Sequence, residues 1–515
     1  MNLAFDLDDD ACYRALVARD GRFDGRFFVA VHTTGIYCRP ICPARTPRRE
    51  NVTFYPTASA AQHAGFRPCL RCRPESSPDL GAWRGTSNTV SRALALIAEG
   101  ACDGTAMAAL ADRLGVGERQ LRRLFRRHLG ASPIAVAQTR RVLFARQLIV
   151  ETRMPLAEVA LASGFGSIRR FNAAFRALYN RPPRELRRSR DGASEGRAAA
   201  GITLILPYAP PYDWDAMIGF LAARAIAGVE FVEGCARYHR TIALDGAQGT
   251  VTVEPDERGR GLKVGIRFPR VQSIAAIVAR VRRVFDLGAD PQTIARHLSG
   301  DALLAPLLAR RPGLRVPGAW DGFEVAVRAI LGQQITVSAA SGLAGRLVAA
   351  LGDPIRPPPT ERLTRTFPTP SRIAGADLRP LGMPAARAAS LASLAAFVAS
   401  DSRFLSPGQP LEAAVDRLRS LPGIGEWTAQ YIAMRGLREP DAFPAADLGL
   451  IRALGRSFSS RPSPAAILAR AEAWRPWRAY AAQHLWTAGA DAIGERKPPG
   501  EAVPRRSQDA EALAA

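Results

Sequence analysis

Four cysteines near the start of the chain have the spacing of a metal site. Cys38 and Cys42 form a C-x3-C pair, and Cys69 and Cys72 form a C-x2-C pair. Four thiolates suit a tetrahedral zinc ion with bonds of about 2.3 Å. Bound zinc keeps thiols deprotonated, and a thiolate is also a nucleophile. The spacing therefore predicts a zinc site, but it leaves open whether the site is reactive or purely structural. For a generic four-cysteine cluster, the purely structural role is the favoured one.

The segments around these cysteines, 28–40 (FVAVHTTGIYCRP) and 51–55 (NVTFY), resemble the amino-terminal module of Ada-type proteins, which repairs methyl phosphotriesters in DNA. The resemblance covers nearly all of residues 5–80. It implies that Cys38 is both a zinc ligand and the methyl acceptor, which would react once per protein molecule. The supporting ligands would be Cys42, Cys69 and Cys72. Phosphate contacts, with surface solvation as the alternative for each, would come from Arg39, Arg45, Arg67, Arg71 and Arg73.

A second candidate site lies in the carboxy-terminal half of the chain. The loop at 421–425 (LPGIG) precedes a helical pattern, and Asp447 follows in the loop 443–447 (FPAAD). Backbone N–H groups and the dipole at such a helix start favour a phosphate. The loop alone indicates a helix-hairpin-helix or a simple turn, and an aspartate in a loop is commonly a helix cap.

The flanking sequence resembles the AlkA-type 3-methyladenine DNA glycosylases of the helix-hairpin-helix superfamily, from about Pro211 to Gly489. The matching segments are 211–214 (PYDW), 219–225 (GFLAARA), 328–333 (RAILGQ), 427–429 (WTA) and 474–478 (WRPWR). Such enzymes take the damaged base out of the duplex. An electron-poor alkylated purine gains about 0.5–2 kcal/mol from each good cation–π contact. The resemblance implies a base pocket lined by Phe220, Trp427, Tyr431 and Trp486, although core packing is the ordinary role of such residues.

The same resemblance implies roles for the remaining site residues. Asp447 would stabilise the positive sugar in the transition state, activate water, or do both. Leu331 would fill the gap left in the base stack. The DNA backbone would contact Gly423 and Gly425. A monovalent cation could bind the main-chain carbonyls of Arg419, Leu421 and Gly423.

Three features of the sequence narrow the expected activity. Strand-cutting members of this superfamily use a lysine early in the helix after the hairpin, and here that place holds Trp427, after Glu426. Neither a four-cysteine cluster after Asp447 nor a Pro-Cys-His-Arg motif is present, so we expect no iron–sulfur cluster and no repair of O6-methylguanine.

The run 448–452 (LGLIR) is one residue longer than the AlkA pattern, which leaves the helix register after Asp447 open.

An arginine-rich region separates the two candidate sites. Apolar residues at helical spacing predict helices at 107–114, 118–128, 133–151, 156–163 and 168–178. The pattern of Pro155, Ala160, Gly164-Phe165, Phe171, Phe175-Arg176 and Pro183 resembles the AraC-family DNA-binding domain, which has two helix-turn-helix units. Asn180 replaces the usual glycine, and asparagine tolerates left-handed backbone angles.

In such units the second helix enters the major groove. The candidate base readers are Arg119, Gln120, Arg123, Ser167, Arg169 and Arg170. Arg126 and Arg127 are as suited to binding phosphates as to reading bases. A solvated surface remains the alternative for each of these arginines.

The composition agrees with a nucleic-acid partner. The net charge of +23 comes almost wholly from arginine, since Lys263 and Lys497 are the only lysines. A strongly basic protein favours a polyanion, because each neutralised phosphate releases counterions. No apolar run reaches the roughly eighteen residues of a membrane helix, and the acidic start is no signal peptide. We therefore expect a soluble cytoplasmic bacterial protein that makes no membrane contact and associates with the nucleoid when bound to DNA.

The predicted fold is multidomain α+β. Its parts are a zinc-bound α/β module (1–80), an all-α double helix-turn-helix (87–187), a linker (188–201), an antiparallel-sheet subdomain (202–315), a helix-hairpin-helix glycosylase domain (316–494) and a disordered tail (495–515). The predicted partners of this monomer are damaged and promoter double-stranded DNA and RNA polymerase. Two alternatives remain: a transcription factor whose glycosylase half only binds DNA, and a repair enzyme whose first two modules only raise its DNA affinity.

Overall fold

The computed structural model of the protein describes residues 8–78, 88–102, 107–187, 201–401, 403–406, 410–455 and 462–493. Apart from Gly201, the linker predicted at 188–201 lies outside these residues, as does the whole tail predicted at 495–515. Throughout the described ranges, every helix is too short or too polar to span a membrane.

The first module places a helix on each face of a four-stranded sheet. The helices are α1 (Asp9–Ala18) and α2 (Ala58–His63). The strands are β1 (Phe28–Val31), β2 (Ile36–Cys38), β3 (Val52–Tyr55) and β4 (Arg67–Pro68), in the order β3-β1-β2-β4. β2 and β4 are parallel. Because Cys38 ends β2 and Cys69 directly follows β4, this pairing brings the two cysteine pairs to the same end of the sheet.

The arginine-rich region is built from helices, as its periodicity predicts. They are α3 (Asn88–Ala98), α4 (Met107–Arg113), α5 (Glu118–Leu129), α6 (Pro133–Glu151), α7 (Leu156–Ala162), α8 (Ile168–Tyr179) and α9 (Pro183–Arg187). Ser132 and Ser167 cap α6 and α8 by accepting backbone hydrogen bonds. Asn180 ends α8 with a φ of 51°, which confirms that it adopts the left-handed conformation.

An antiparallel sheet follows, as predicted for residues 202–315. The alternating runs 250–253 (TVTV) and 262–266 (LKVGI) indicate strands, and both segments lie in strands of this sheet. The strands are β5 (Ile202–Leu206), β6 (Glu230–Glu233), β7 (Arg237–Leu244), β8 (Ala247–Pro255) and β9 (Leu262–Arg267), in the order β5-β9-β8-β7-β6. The accompanying helices are α10 (Trp214–Ala223), α11 (Ile274–Val284), α12 (Pro291–Leu298) and α13 (Leu304–Arg310).

The last domain is helical. Its helices are α14 (Gly322–Leu331), α15 (Val337–Leu351), α16 (Pro370–Ala374), α17 (Ala385–Ser400), α18 (Leu411–Arg419), α19 (Glu426–Ile432), α20 (Leu448–Gly455), α21 (Pro464–Ala471) and α22 (Arg478–Ile493). A π-helical turn, Ala433–Leu437, extends α19. Helices α18 and α19 and the loop between them form the predicted helix-hairpin-helix. The predicted multidomain α+β architecture is confirmed.

A buried charge network joins the sheet to the helical domain. Glu324 of α14 pairs with Arg240 of β7 and with Arg328, and Arg328 also pairs with Glu230 of β6. Burial opposes the ionisation of Glu324, but the two guanidinium groups outweigh it and lower its pKa to about 2. The network therefore fixes α14 relative to the sheet, and with it the start of the loop that leads to α15.

The helix-turn-helix region packs directly on the sheet subdomain. Val142 and Leu148 of α6 belong to the same buried apolar cluster as Leu204 and Leu206 of β5. A shared core of this kind stabilises both partners through the apolar area that each covers on the other. The two halves of the chain are therefore in contact, which the predicted linker did not indicate.

Candidate functional site

The four predicted cysteines come together. Their sulfur atoms all lie within 4.8 Å of one another, and the Sγ atoms of Cys42 and Cys69 are 4.0 Å apart. A tetrahedral zinc ion with bonds of about 2.3 Å would separate its sulfur ligands by about 3.8 Å. Both the donor set and its spacing therefore fit Zn²⁺.

Cys38 differs from the other three cysteines in its accessibility. Cys42, Cys69 and Cys72 are buried, whereas Cys38 is only partly buried. Hydrogen bonding to Cys42 and to the other two thiols raises the pKa of Cys38 above the ordinary thiol value. Four thiolates at this spacing consequently need a cation, and Cys38 is the member of the cluster that an outside molecule can reach.

A cleft lined by arginines opens beside Cys38. Arg45, Arg67 and Arg71 of the cysteine module border it, together with Arg181, which follows α8. Two modules thus place cations around the accessible thiol, and cations are what phosphate groups require.

Two of the five arginines predicted to contact phosphates have other partners. Arg39 pairs with Asp24, with Nε donating at 2.8 Å. Arg73 pairs with Glu75 and with Glu151 of α6, both at 3.0 Å. These two guanidinium groups stabilise the protein internally, because the spacing of arginines in a sequence does not reveal which carboxylates fold beside them.

The side chains predicted to read bases lie on the exposed surface of α5 and at the start of α8. These exposed residues are Arg119, Gln120, Arg123, Ser167, Arg169 and Arg170. The Ser167 hydroxyl also accepts a hydrogen bond from the Arg170 backbone at 3.2 Å. Helix capping therefore occupies part of its hydrogen-bonding capacity.

The Asp447 carboxylate accepts three hydrogen bonds. Oδ2 accepts from the Trp427 indole at 2.8 Å, while Oδ1 accepts from the Trp486 indole at 2.7 Å and from the Leu450 backbone at 3.0 Å. The Leu450 bond caps α20, and the two indoles fix the carboxylate beside the aromatic residues. Asp447 is thus a helix cap and part of the pocket at once.

The helix register after Asp447 is defined by backbone contacts. The Ile451 N–H donates to the Asp447 carbonyl at 2.9 Å, so α20 begins immediately. Gly449 lies against the carboxylate, where a Cβ atom would come within 2.9 Å of Asp447 Oδ1 and 3.0 Å of the Trp486 ring. A side chain at residue 449 would therefore crowd both the carboxylate and the Trp486 ring.

The aromatic residues predicted for the base pocket lie together. Trp427 and Tyr431 are stacked, with ring centroids 5.4 Å apart and an interplanar angle of 17°. Trp486 joins them through the shared Asp447 carboxylate. Phe220 is 8 % exposed, so its ring is largely covered.

Two arginines lie among these rings, and neither was predicted from the sequence. The Arg224 guanidinium lies 3.9 Å from the Phe220 ring centroid, and that of Arg435 lies 4.4 Å from Phe220 and 5.0 Å from Tyr431. Burial favours a higher pKa for the Tyr431 hydroxyl, but Arg435 and Arg224 outweigh it and lower its pKa below 10. Each arginine follows an aromatic residue by four positions (Phe220 or Tyr431), the helical spacing that could have revealed it.

The prediction that Leu331 fills the gap in the base stack is wrong, because its side chain is fully buried in the core of the helical domain. Residues 334–339 are exposed, and the first of them is Gln334, in the loop between α14 and α15, where φ is 58°. Ile335 and Val337 beside it are 36 % and 42 % exposed. The motif locates this loop, but only the packing of α14 decides which of its residues face outward.

The hairpin loop is bound to the loop between α14 and α15. Gln333 Nε2 donates to the Gly423 carbonyl at 2.9 Å. Gly423 has a φ of 76°, and a Cβ there would lie 2.0 Å from Ser390 Oγ. Gly425 is the N-cap of α19. The start of α19 and the exposed loop therefore form one connected surface.

Four family models match the chain in series. They describe the metal binding domain of Ada (residues 11–75), a helix-turn-helix domain (110–189), the AlkA N-terminal domain (203–321) and the HhH-GPD superfamily of base excision DNA repair proteins (327–479). Together with the geometry described above, they define the class of protein. It is a helix-hairpin-helix base excision repair protein joined to a zinc-binding module and a DNA-binding helix-turn-helix region.

The chain is 44 % identical, over 93 % of its length, to the probable bifunctional transcriptional activator/DNA repair enzyme AlkA of Mycobacterium tuberculosis, and it covers 96 % of that protein. It therefore belongs to this family of bifunctional transcriptional activator/DNA repair enzymes. It is also 39 % identical to DNA-3-methyladenine glycosylase 2 of Escherichia coli, over 55 % of this chain and 95 % of that enzyme. Its identity to the E. coli enzyme Ada is 39 %, over 29 % of this chain and 41 % of Ada.

Proposed function

We propose that this protein removes alkylation damage from DNA by two chemistries and uses one of them to regulate transcription. The observation that carries the proposal is the Asp447 carboxylate, which two indole N–H groups hold at 2.7 and 2.8 Å within an aromatic pocket. The names of the M. tuberculosis and E. coli relatives support it. The proposed substrates are alkylated bases of the 3-methyladenine type and methyl phosphotriesters.

In the base excision reaction, the damaged base leaves the duplex and stacks among Trp427, Tyr431 and Trp486. The bond between the base and the sugar C1′ breaks, and its electron pair leaves with the base. Asp447 stabilises the positive charge that develops on the sugar, and water then attacks C1′ and releases a proton. Because Trp427 stands where strand-cutting relatives carry lysine, hydrolysis leaves the strand intact. In this sense the glycosylase is monofunctional.

In the methyl transfer reaction, Cys38 Sγ attacks the methyl carbon of a phosphotriester. The S–C bond forms as the C–O bond breaks, and the electron pair of the broken bond stays on the phosphate oxygen. The products are a thioether and a charged phosphodiester, so each protein molecule reacts once. When bound by the four cysteines, zinc keeps them as thiolates at neutral pH. Arg45, Arg67 and Arg71 would hold the flanking phosphates.

Regulation is proposed to use the exposed residues of α5 and α8, which would read promoter DNA so that a monomer can recruit RNA polymerase. Each activity would belong to one predicted part of the chain: methyl transfer to residues 1–80, promoter binding to residues 87–187 and base excision to residues 202–494. A monovalent cation at the carbonyls of Arg419, Leu421 and Gly423 would help the hairpin to bind a phosphate.

The direct test is product analysis after the protein has been incubated with methylated DNA. Free 3-methyladenine, an intact strand and a protein-bound methyl group are the expected products. A protein that binds this DNA and releases no base would be the transcription factor of the first alternative. Release of base without any activation of a reporter gene would identify the second alternative, in which the first two modules only add DNA affinity.

Methylation of Cys38 should raise the affinity of the protein for promoter DNA by at most about ten- to a hundredfold. The reaction removes one negative charge from a cleft bordered by Arg45, Arg67 and Arg71. Two charges about 7–10 Å apart interact by about 2 kcal/mol at an effective dielectric of 20, and salt screens this further. Titrations of both forms at several salt concentrations measure the effect. Equal affinities at low salt would contradict it.

Gln334 is proposed to fill the space that a flipped base leaves. Gln334→Ala should weaken binding to DNA with an abasic site by about tenfold, equivalent to about 1.4 kcal/mol, without changing the melting temperature. Leu331→Ala should instead cost about 2–5 kcal/mol of unfolding free energy, because it creates a cavity in the core. Fluorescence titration and urea unfolding separate the two effects. Weak binding by a folded Leu331→Ala protein, with Gln334→Ala unaffected, would return the role to Leu331.

A further inference from the structure

Helix α6 lies between the cysteine module and the glycosylase, and its last turns bond to both. On one side Arg146 pairs with Glu75 and donates to the Leu70 carbonyl at 3.3 Å. On the other side Gln147 Nε2 donates to the Ile205 carbonyl of β5 at 2.9 Å. Arg146 and Gln147 are both buried at this junction.

Glu151, the last residue of α6, joins the two sides through one carboxylate. Oε1 accepts from Arg73 at 3.0 Å, and Oε2 accepts from the Ile205 backbone N–H at 3.0 Å. Arg73 directly follows the predicted zinc ligand Cys72 in the chain. A single acidic side chain therefore connects the residue next to the cysteine cluster with the sheet of the glycosylase.

Side chains of α6 replace a neighbouring strand along β5. This strand is an edge of its sheet. Glu151 accepts from the Ile205 N–H, and Gln147 donates to the Ile205 carbonyl, so both main-chain groups are paired as they would be inside a sheet. Buried main-chain groups that lose their partners are costly. The pairing of the Ile205 N–H consequently depends on the position of Glu151.

A displacement of β5 would reach the proposed base pocket. The strand leads into α10, which carries Phe220 and Arg224 at its end. Leu204 and Leu206 of β5 belong to the same buried cluster as Phe220. Close packing transmits such a displacement, because a filled core cannot absorb it locally.

We propose that Glu151 couples the cysteine cluster to the glycosylase, so that zinc loading of the cluster and ordering of β5 favour each other. The coupling runs from Arg73 to Glu151 and from Glu151 to Ile205. It is reciprocal, as linkage between two sites must be. The proposal requires a zinc-binding cluster but neither repair activity, so its test can fail without affecting the proposed function.

The test is hydrogen–deuterium exchange of the full-length protein before and after a chelator removes zinc. In the wild type, the amides of residues 201–206 should exchange about fivefold or more faster without zinc, at the lower end of couplings between sites. Glu151→Gln keeps an oxygen for the Ile205 N–H but loses the charge that binds Arg73. In this variant, zinc removal should still accelerate the amide exchange of residues 67–73, but it should leave the exchange rates of residues 201–206 unchanged.

Glu185→Gln, which alters an exposed glutamate of α9, is the matched control and should respond as the wild type does. Thermal melting with zinc present checks that each variant is folded. Two results would overturn the coupling. One is that zinc removal does not change the amide exchange of residues 201–206 in the wild type. The other is that zinc removal accelerates this exchange equally in the wild type and in Glu151→Gln.

Discussion

Replacing Asp447 with asparagine should slow base excision by about a hundred- to a thousandfold, a loss of about 3–4 kcal/mol of transition-state stabilisation. Asparagine lacks the charge that opposes the developing sugar cation. Its amide NH₂ group would also face one of the indole N–H groups that now donate at 2.7 and 2.8 Å, so one of those donors loses its acceptor. Free-base release from methylated DNA in a single turnover is the measurement.

Asp416→Asn provides the matched control, since this exposed aspartate lies on α18 outside the pocket. It should excise bases at the wild-type rate. Asp447→Asn should keep its zinc, its methyl uptake and its promoter binding, because the two sites have no residue in common. If Asp447→Asn retains more than about a tenth of the wild-type rate, Asp447 is not the catalytic carboxylate.

Replacing Cys38 with alanine should abolish methyl uptake, from one methyl group per molecule to none. Only a thiolate that the phosphotriester can reach accepts the methyl group. The three remaining cysteines of the cluster are buried, so they cannot substitute for Cys38. Mass spectrometry of the digested protein, after reaction with DNA that carries labelled phosphotriesters, measures both the amount and the position of the label.

Cys235→Ala is the control, because Cys235 lies outside the cluster and is partly accessible. It should take up methyl normally. Zinc content should fall in Cys38→Ala, which keeps only three thiolates, and should stay unchanged in Cys235→Ala. Label found on Cys69, or more than one methyl per molecule, would refute the assignment of Cys38.

Much of the fold follows from local sequence patterns. Apolar residues at helical spacing predicted α6 at Pro133–Glu151 with the bounds that the structure has. Alternation predicted β8 and β9, and the LPGIG loop predicted the turn between α18 and α19. These features are local, because helix and strand periodicity and turn residues act over a few neighbouring positions.

The candidate sites were predicted less completely. The four cysteines were located through their spacing, and Asp447 and the four aromatic residues through the resemblance to AlkA-type glycosylases. The motif around Leu331 led to a residue in the core, whereas the exposed residues of this region begin at Gln334. Arg224 and Arg435 were missed because arginines are numerous in this chain, so their four-residue spacing from Phe220 and Tyr431 did not distinguish them from the others.

By itself, the sequence determined the four modules and their order and predicted the four cysteine ligands, because each depends on motifs of residue type and short spacing. The prediction of Asp447 as the pocket carboxylate depended on the resemblance to AlkA-type glycosylases. Only the tertiary structure decided which arginines border the cleft beside Cys38 and which pair with carboxylates, as Arg73 does with Glu151. It also decided that α6 joins the cysteine module to β5. Pairings between residues far apart in the chain depend on how completed elements pack, and no local pattern records that packing.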